Sequence, residues 1–310
     1  MAALADKVDS PARRADVGDC PFCDGLCELG FEAWDRNREL SAERFRYRHC
    51  SACGAFSLVD VPDDLGRFYP SSYYDLPAAE ELDRVAPGEV HKVAMIAEHA
   101  ASGRLVEIGP GAGVFAYCAR RAGFDVTAIE MDTRTCMHMR EIIGVEAIES
   151  ADPAGVLAGM PPSRVIAMWH VVEHLANPAA VLEAAAANLE PGGVLAVATP
   201  NPNSLQFRLM GGRWAHVDAP RHLFLLPLDA VTRHAEHAGL RQAAVTTSDP
   251  SGRHWNRFGW EYGMRRRPAQ GNAPAPIGLA SLALTLALRP MEHTGLRGAA
   301  YTAIFVKGGG

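Results

Sequence analysis

Val106-Glu107-Ile108-Gly109-Pro110-Gly111-Ala112-Gly113 ends an apolar run and opens a stretch of helical pattern. Its glycines let the backbone turn sharply and let a ligand come close to it, as in nucleotide-binding loops. The same change of pattern recurs on both sides. RLVEIG (104–109), DVTAIE (125–130), VEAIE (145–149), RVIAMWH (164–170) and GGVLAVATP (192–200) read as short strands. Helical stretches between them run to Gly123, to Ile143 and from about Asn177 to Leu189. Such βαβα alternation predicts a mostly parallel sheet covered on both faces, the doubly wound α/β class. Further on, Asp229–Ala238 reads as a helix, with LRQAAVTTSD (240–249) and AAYTAIFVK (299–307) as the last two strands. The segment between them, about 249–297, is too long for a turn and is expected to form an insertion.

The residues around the loop narrow the ligand. Glu107 precedes the glycines, where its carboxylate would repel a pyrophosphate but attract a positively charged group. The G-x-G-x-G spacing also differs from the dinucleotide G-x-G-x-x-G. Glu130 ends the second strand about twenty residues past the first loop glycine, where an acidic side chain accepts hydrogen bonds from ribose hydroxyls. A nucleoside bearing positive charge fits both carboxylates, and S-adenosylmethionine, with its amino and sulfonium groups, is such a ligand.

On these residues the chain resembles the class I S-adenosylmethionine-dependent methyltransferases, and among them the bacterial ubiquinone-biosynthesis O-methyltransferases. The likeness covers about residues 87 to 245. It is carried by VEIGPGAGVFA (106–116), by Ile129-Glu130, by MWHVVEHLANP (168–178) and by LEPGGVLAVATPNP (189–202). It implies a Rossmann-like sheet of seven strands. It also implies that Glu107, Gly109, Pro110, Gly111 and Gly113 surround the methionine part of the cofactor. Glu130 and Met131 would then hold the ribose, and Trp169 and His170 would sit beside the reactive methyl. The adenine-contacting position falls at Glu149 or Ser150, where this chain reads IESAD.

Methyl transfer from a sulfonium is an in-line displacement that commonly needs a base for the acceptor's proton. Histidine, with a pKa near 6.5, is suited to that task. His170 and His174 flank Glu173 directly after the fourth strand, where open α/β sheets bind ligands. His222 lies in a Pro-x-His-Leu segment comparable to one that borders the active site in related methyltransferases. These three are the candidate bases, each with packing as the competing role. A metal is not expected there, since no third ligand stands at a recognisable spacing.

Cys20-Pro21-Phe22-Cys23 and Cys50-Ser51-Ala52-Cys53 form two C-x-x-C pairs, a pattern suited to a four-cysteine zinc ribbon. With every coordination position closed by thiolate, the zinc would be structural. Cys27 fits less well as a ligand, and Cys118 and Cys136 fall in predicted helices as buried small side chains. Family members with such a ribbon and a following stretch like Phe68-Tyr69-Pro70-Ser71-Ser72-Tyr73-Tyr74 commonly act on sugars and other natural-product intermediates.

The 310 residues, 48% apolar and 21% charged, suffice for one substantial core and a small extra module. We expect a disordered lead-in at 1–18, the zinc ribbon at 19–62, a tyrosine-rich linker at 63–86 and the methyltransferase domain at 87–310. A net charge of −6 offers no field for polyanions, so nucleic acid is not an expected partner. No continuous apolar stretch of about 18 residues and no leader pattern is present, which reads as a cytoplasmic protein. The insertion carries Arg253, Arg257, Arg265-Arg266-Arg267 and an apolar helix over Ile277–Leu288, which suits a small acceptor with an anionic or prenyl part. Tyr73, Tyr74, Trp214, Arg221 and Arg257 are the candidate acceptor contacts. An RNA methyltransferase and a non-catalytic cofactor-binding module are the competing readings.

Overall fold

The computed structural model describes residues 18–70, 73–265 and 275–309. The lead-in expected at 1–18 falls, but for Gly18, outside the described residues, as do Ser71, Ser72, Arg266 and Arg267. The strands are β1 (Gly18–Asp19), β2 (Leu26–Trp34), β3 (Arg44–Cys50), β4 (Phe56–Leu58), β5 (Gly103–Ile108) and β6 (Phe124–Glu130). They continue with β7 (Glu146–Glu149), β8 (Ser163–Trp169), β9 (Leu189–Pro200), β10 (Phe224–Leu225), β11 (Leu240–Thr246) and β12 (Ala300–Lys307).

Seven of these strands form the main sheet in the order β11-β12-β9-β8-β5-β6-β7. Strands β7, β6, β5, β8 and β9 run parallel, while β12 is antiparallel to both of its neighbours. The core has two layers because side chains alternate across a strand. Val106, Ile108, Ile166, Met168, Leu195 and Val197 pack on one face. Leu105, Val165, Ala167, Trp169, Val194 and Ala196 pack on the other. Chain order reverses between β5 and β8, and a crevice opens at the carboxyl ends of such a pair.

The cysteine-bearing segment folds as a second, antiparallel sheet in the order β1-β2-β3-β4-β10. Its last strand corrects the expectation of a unit closed within 19–62. Phe224 pairs with Ser57 and Leu225 with Phe56, so the larger domain supplies an edge of the smaller sheet. Cys20, Tyr47, Leu58 and Phe68 belong to the same apolar cluster as Ile166, Leu195 and Trp214. A sheet this small buries too little surface alone, and here it shares the core of its neighbour.

Among its described residues the insertion holds two helices, Pro250–Met264 and Ala275–His293. The first runs through Gly259 and Gly263. It starts where Asp249 caps it, accepting from the Gly252 N–H at 2.7 Å. The second contains the predicted apolar run, yet Leu279, Leu282 and Leu286 are exposed. No helix among the described residues is long and apolar enough to cross a membrane.

Candidate active site

A cavity of about 1410 Å³ opens over the carboxyl ends of β5 and β8. Gly109, Gly111 and Gly113 all have positive φ, at 64°, 53° and 73°. A Cβ on Gly109 would stand 2.5 Å from Val171, and one on Gly113 2.7 Å from Met139. Glycine is therefore required there by conformation and by space. Glu107, Pro110, Glu130, Met131, Trp169 and His170 line the same cavity, so the expected cofactor residues converge on it. Ser150 lines it too, whereas Glu149 accepts from the Thr133 hydroxyl at 2.7 Å and is not on the wall.

Glu107 is buried, and its Oε2 has no hydrogen-bond partner among the described residues. Burial pushes its carboxyl well above the usual range, against the pull of Lys92. Glu130 Oε1 accepts from the backbone N–H groups of Met131 at 2.7 Å and Asp132 at 3.0 Å, which fixes its carboxylate at the strand end. Lys92, on the helix Val90–Ala97, was not foreseen. Its ammonium pairs with Glu89 and lies 4.9 Å from the Trp169 ring centroid, on the cavity wall. A single lysine in a helical pattern looks like any solvated one, so nothing in the sequence marks it.

At the other end of the cavity stands Glu173, fully buried and ringed by imidazoles. His170 Nδ1 lies 3.5 Å from its Oε1, and the Thr199 hydroxyl donates to its Oε2 at 2.9 Å. Burial alone would raise this carboxyl, but the imidazoles of His170, His222 and His174 bring it down to about 2. His170 has a φ of 58°, a conformation that non-glycine residues adopt rarely. His174 is pushed down to about 4 by burial and by His222. Its Nδ1 contacts the Arg221 carbonyl at 2.9 Å and the Tyr69 hydroxyl at 3.1 Å. His222 Nδ1 lies 2.9 Å from the His216 carbonyl, which must accept, so Nδ1 is the donor of that pair. One ligand atom each from Glu173, His174 and His222 lie within 4.8 Å of one another. The structure thus supplies the third donor that the spacing did not reveal, in a set that could take a divalent cation.

The expected acceptor residues divide. Tyr73 and Tyr74 line the cavity, their rings edge to face with centroids 4.9 Å apart. The Tyr74 ring covers the glycine loop, 3.3 Å from where a Gly111 Cβ would stand. Trp214 is instead a core residue, its indole N–H donating to Gln206 at 3.0 Å. Arg221 is likewise fully buried and off the cavity wall. It binds Asp35 at 2.6 Å and Asp218 at 2.7 Å. Arg257 is exposed and does not line the cavity. Sequence reasoning missed the actual wall, Trp255, Phe258 and Tyr262 on the helix Pro250–Met264, together with Asn37 and Arg38.

The four cysteines gather away from the cavity, with Cys20 and Cys53 sulfurs 3.8 Å apart and those of Cys23 and Cys50 3.6 Å apart. A tetrahedron with zinc–sulfur bonds of about 2.3 Å has edges of about 3.8 Å, so the set fits that ion. Cys27 contacts the Gly25 carbonyl instead, at 4.0 Å. Gly54 turns the second knuckle at a φ of 77°, while in the first Asp24 takes the positive φ, 59°.

Comparison with known proteins accords with this geometry. A family model described as a methyltransferase domain matches residues 78–245. The ubiquinone biosynthesis O-methyltransferase of Bordetella pertussis is 28% identical over 155 residues, spanning 46% of this chain and 64% of that protein. Its counterpart in Xylella fastidiosa is 32% identical over 161 residues, spanning 48% and 63%. The match thus covers just under two thirds of the length of these relatives. The crystal structure of an S-adenosylmethionine-dependent methyltransferase from Archaeoglobus fulgidus aligns with a TM-score of 0.50 at 13% identity. That alignment spans 73% of this chain and 94% of that one, which establishes a common fold. By the family model, which matches more than half of the chain and takes in the glycine loop and strands β5 to β9, this chain belongs to the methyltransferase-domain family.

Proposed function

We propose that the chain transfers a methyl group from S-adenosylmethionine to a hydroxyl of a small-molecule acceptor. The observation that carries this reading is the unpartnered oxygen of Glu107. A buried carboxylate without a partner is costly, and a cationic ligand relieves that cost. The amino group and sulfonium of S-adenosylmethionine supply the cation, and a dinucleotide supplies charge of the wrong sign. Glu130 takes the ribose hydroxyls, and Lys92 is suited to the carboxylate of the methionine part. Zinc held by Cys20, Cys23, Cys50 and Cys53 is structural, since all four positions are filled by protein.

His170 serves as the base. Glu173 orients its Nδ1 and leaves Nε2 to accept a proton, the arrangement by which a carboxylate sets a catalytic tautomer. The acceptor oxygen attacks the methyl carbon, and the carbon–sulfur bonding pair returns to sulfur as S-adenosylhomocysteine leaves. The hydroxyl proton passes to His170. His174 and His216, depressed to about 4 and about 3, resist protonation and serve as neutral walls. The curated relatives are O-methyltransferases, which supports oxygen as the acceptor atom.

The test is to incubate the chain with methyl-labelled S-adenosylmethionine and a panel of phenolic, sugar and prenyl acceptors, reading label by mass spectrometry. Acceptor-dependent label is the expected result. Tight cofactor binding with no transfer to any acceptor would favour a binding module instead.

A further inference from the structure

We infer that Arg38 is the anion-binding residue of the acceptor site, so that the acceptor bears a carboxylate or phosphate on a flat ring. The inference rests on the methyl-transfer reading and names its substrate class.

The turn between β2 and β3 is folded by Asp35, whose carboxylate accepts from the backbone N–H of Arg38 at 3.3 Å and Leu40 at 2.8 Å. Its neighbours are tied to the larger domain. Arg36 donates to the carbonyls of Arg213 at 3.1 Å and Arg265 at 2.9 Å. The Asn37 amide donates to the Ala215 carbonyl at 2.8 Å and to Asp218 at 2.6 Å, and the Tyr262 hydroxyl donates to the Asn37 carbonyl at 3.1 Å. A turn held this firmly presents its next side chain in a fixed place.

That side chain is Arg38. Its guanidinium carbon lies 4.3 Å from the Tyr73 ring centroid, on the cavity wall. Its charge acts on the hydroxyls of both Tyr73 and Tyr262, which sets it between the tyrosine-rich segment and the insertion helix. Among the described residues no carboxylate or carbonyl accepts from this guanidinium. The other charged groups nearby are engaged. Asp218 is held by Arg221 and Asn37, Glu173 accepts from Thr199, and Lys92 pairs with Glu89 beside the glycine loop, where the cofactor is expected. Arg38 keeps its fork of donors for an acceptor, and a planar guanidinium matches a carboxylate or phosphate with two parallel hydrogen bonds.

The surrounding wall selects for a ring. Trp255, Phe258 and Tyr262 fall at i, i+3 and i+7 on the helix Pro250–Met264 and therefore share one face. The Phe258 and Tyr262 rings lie 4.8 Å apart at 36°, and the Trp255 ring lies 5.1 Å from that of His170. This aromatic face, in the cavity that Tyr73 and Arg38 also line, gives a flat ring surfaces to stack on.

The experiment is calorimetric titration of the full chain, saturated with S-adenosylhomocysteine, using 4-hydroxybenzoate and its uncharged isostere 4-hydroxybenzamide as probes. The expected result is that the carboxylate binds at least about tenfold tighter than the amide. Arg38→Met should abolish that preference and leave affinity for S-adenosylhomocysteine unchanged, and Arg38→Lys should restore part of it. Equal affinity of the wild-type chain for both probes, absence of binding included, would overturn the inference, as would a preference that survives Arg38→Met. Failure of S-adenosylhomocysteine to bind would instead count against the methyl-transfer reading, and the same titrations without it would still read out Arg38.

Discussion

The Tyr47 hydroxyl, on a strand of the cysteine-bearing sheet, donates to the backbone carbonyl of His222 at 2.7 Å, across 175 positions of sequence. One residue earlier, Arg221 reaches Asp35 at the end of that sheet. One residue later, the Leu223 carbonyl accepts from the Leu58 N–H at 2.8 Å. Three consecutive residues of the histidine loop are thus held by the small sheet, and its four cysteines stand at the base of the same strands.

Metal removal should therefore reach the cavity. Elemental analysis is expected to give one zinc per chain, lost in Cys53→Ser and retained in Cys27→Ser. Loss of zinc should lower the melting temperature and turnover together. Tyr47→Phe should keep its zinc and cost about 1–3 kcal/mol, because it leaves a buried carbonyl unpaired. Zinc retained in Cys53→Ser, with full stability, would contradict the four-cysteine site.

Replacing His170 by Gln is expected to lower turnover by about 10²–10⁴, the usual share of a general base, with cofactor binding still detected by calorimetry. His222→Gln should lose less, since its Nε2 lies 4.0 Å from the nearest carboxylate. A chelator in the assay discriminates a further possibility in the Glu173, His174 and His222 set. If activity of the zinc-loaded chain falls on chelation and returns with magnesium, those three ligate a cation and the base assignment fails.

The pH dependence of stability has a sign that can be worked out. His216 and His174 are depressed below the ordinary histidine value, chiefly by burial, to about 3 and about 4. Below about pH 6.5 the unfolded chain binds protons that these two refuse, so their contribution is present at neutral pH and lost as pH falls. Glu107, raised by burial, acts in the opposite direction, so the comparison must be made between variants. His216→Gln should lose less melting temperature than the wild-type chain between pH 7 and pH 5. Parallel losses would show that His216 is not held neutral.

The sheet was legible because its strands carry near-continuous apolar runs and its loop glycines have a local cause. Glu107, Glu130 and the paired cysteines each carry a local mark, a glycine loop, a strand end and the C-x-x-C spacing. Contacts between distant segments left no such mark. The two-residue strand Phe224–Leu225 is too short to show a period, and nothing in Asp35 or Tyr47 announces Arg221 or His222. The helix Pro250–Met264 carries Gly252, Gly259 and Gly263, residues that weaken a helical pattern. In the fold Gly259 lies against Gln206, where a Cβ would have no room, so its reason is tertiary. Trp214 and Arg221, expected as acceptor contacts, are locked into the core by Gln206 and by Asp35 and Asp218, partners that local sequence does not reveal.

The central claim is that a buried carboxylate beside the glycine loop holds a cationic nucleoside. Calorimetric titration of the wild-type chain and of Glu107→Gln with S-adenosylmethionine and with NAD tests it most directly. One-to-one binding of S-adenosylmethionine, weakened at least about tenfold by Glu107→Gln, with no uptake of NAD, is the expected result. Binding of NAD in preference to S-adenosylmethionine, or equal affinity of both chains for S-adenosylmethionine, would contradict it.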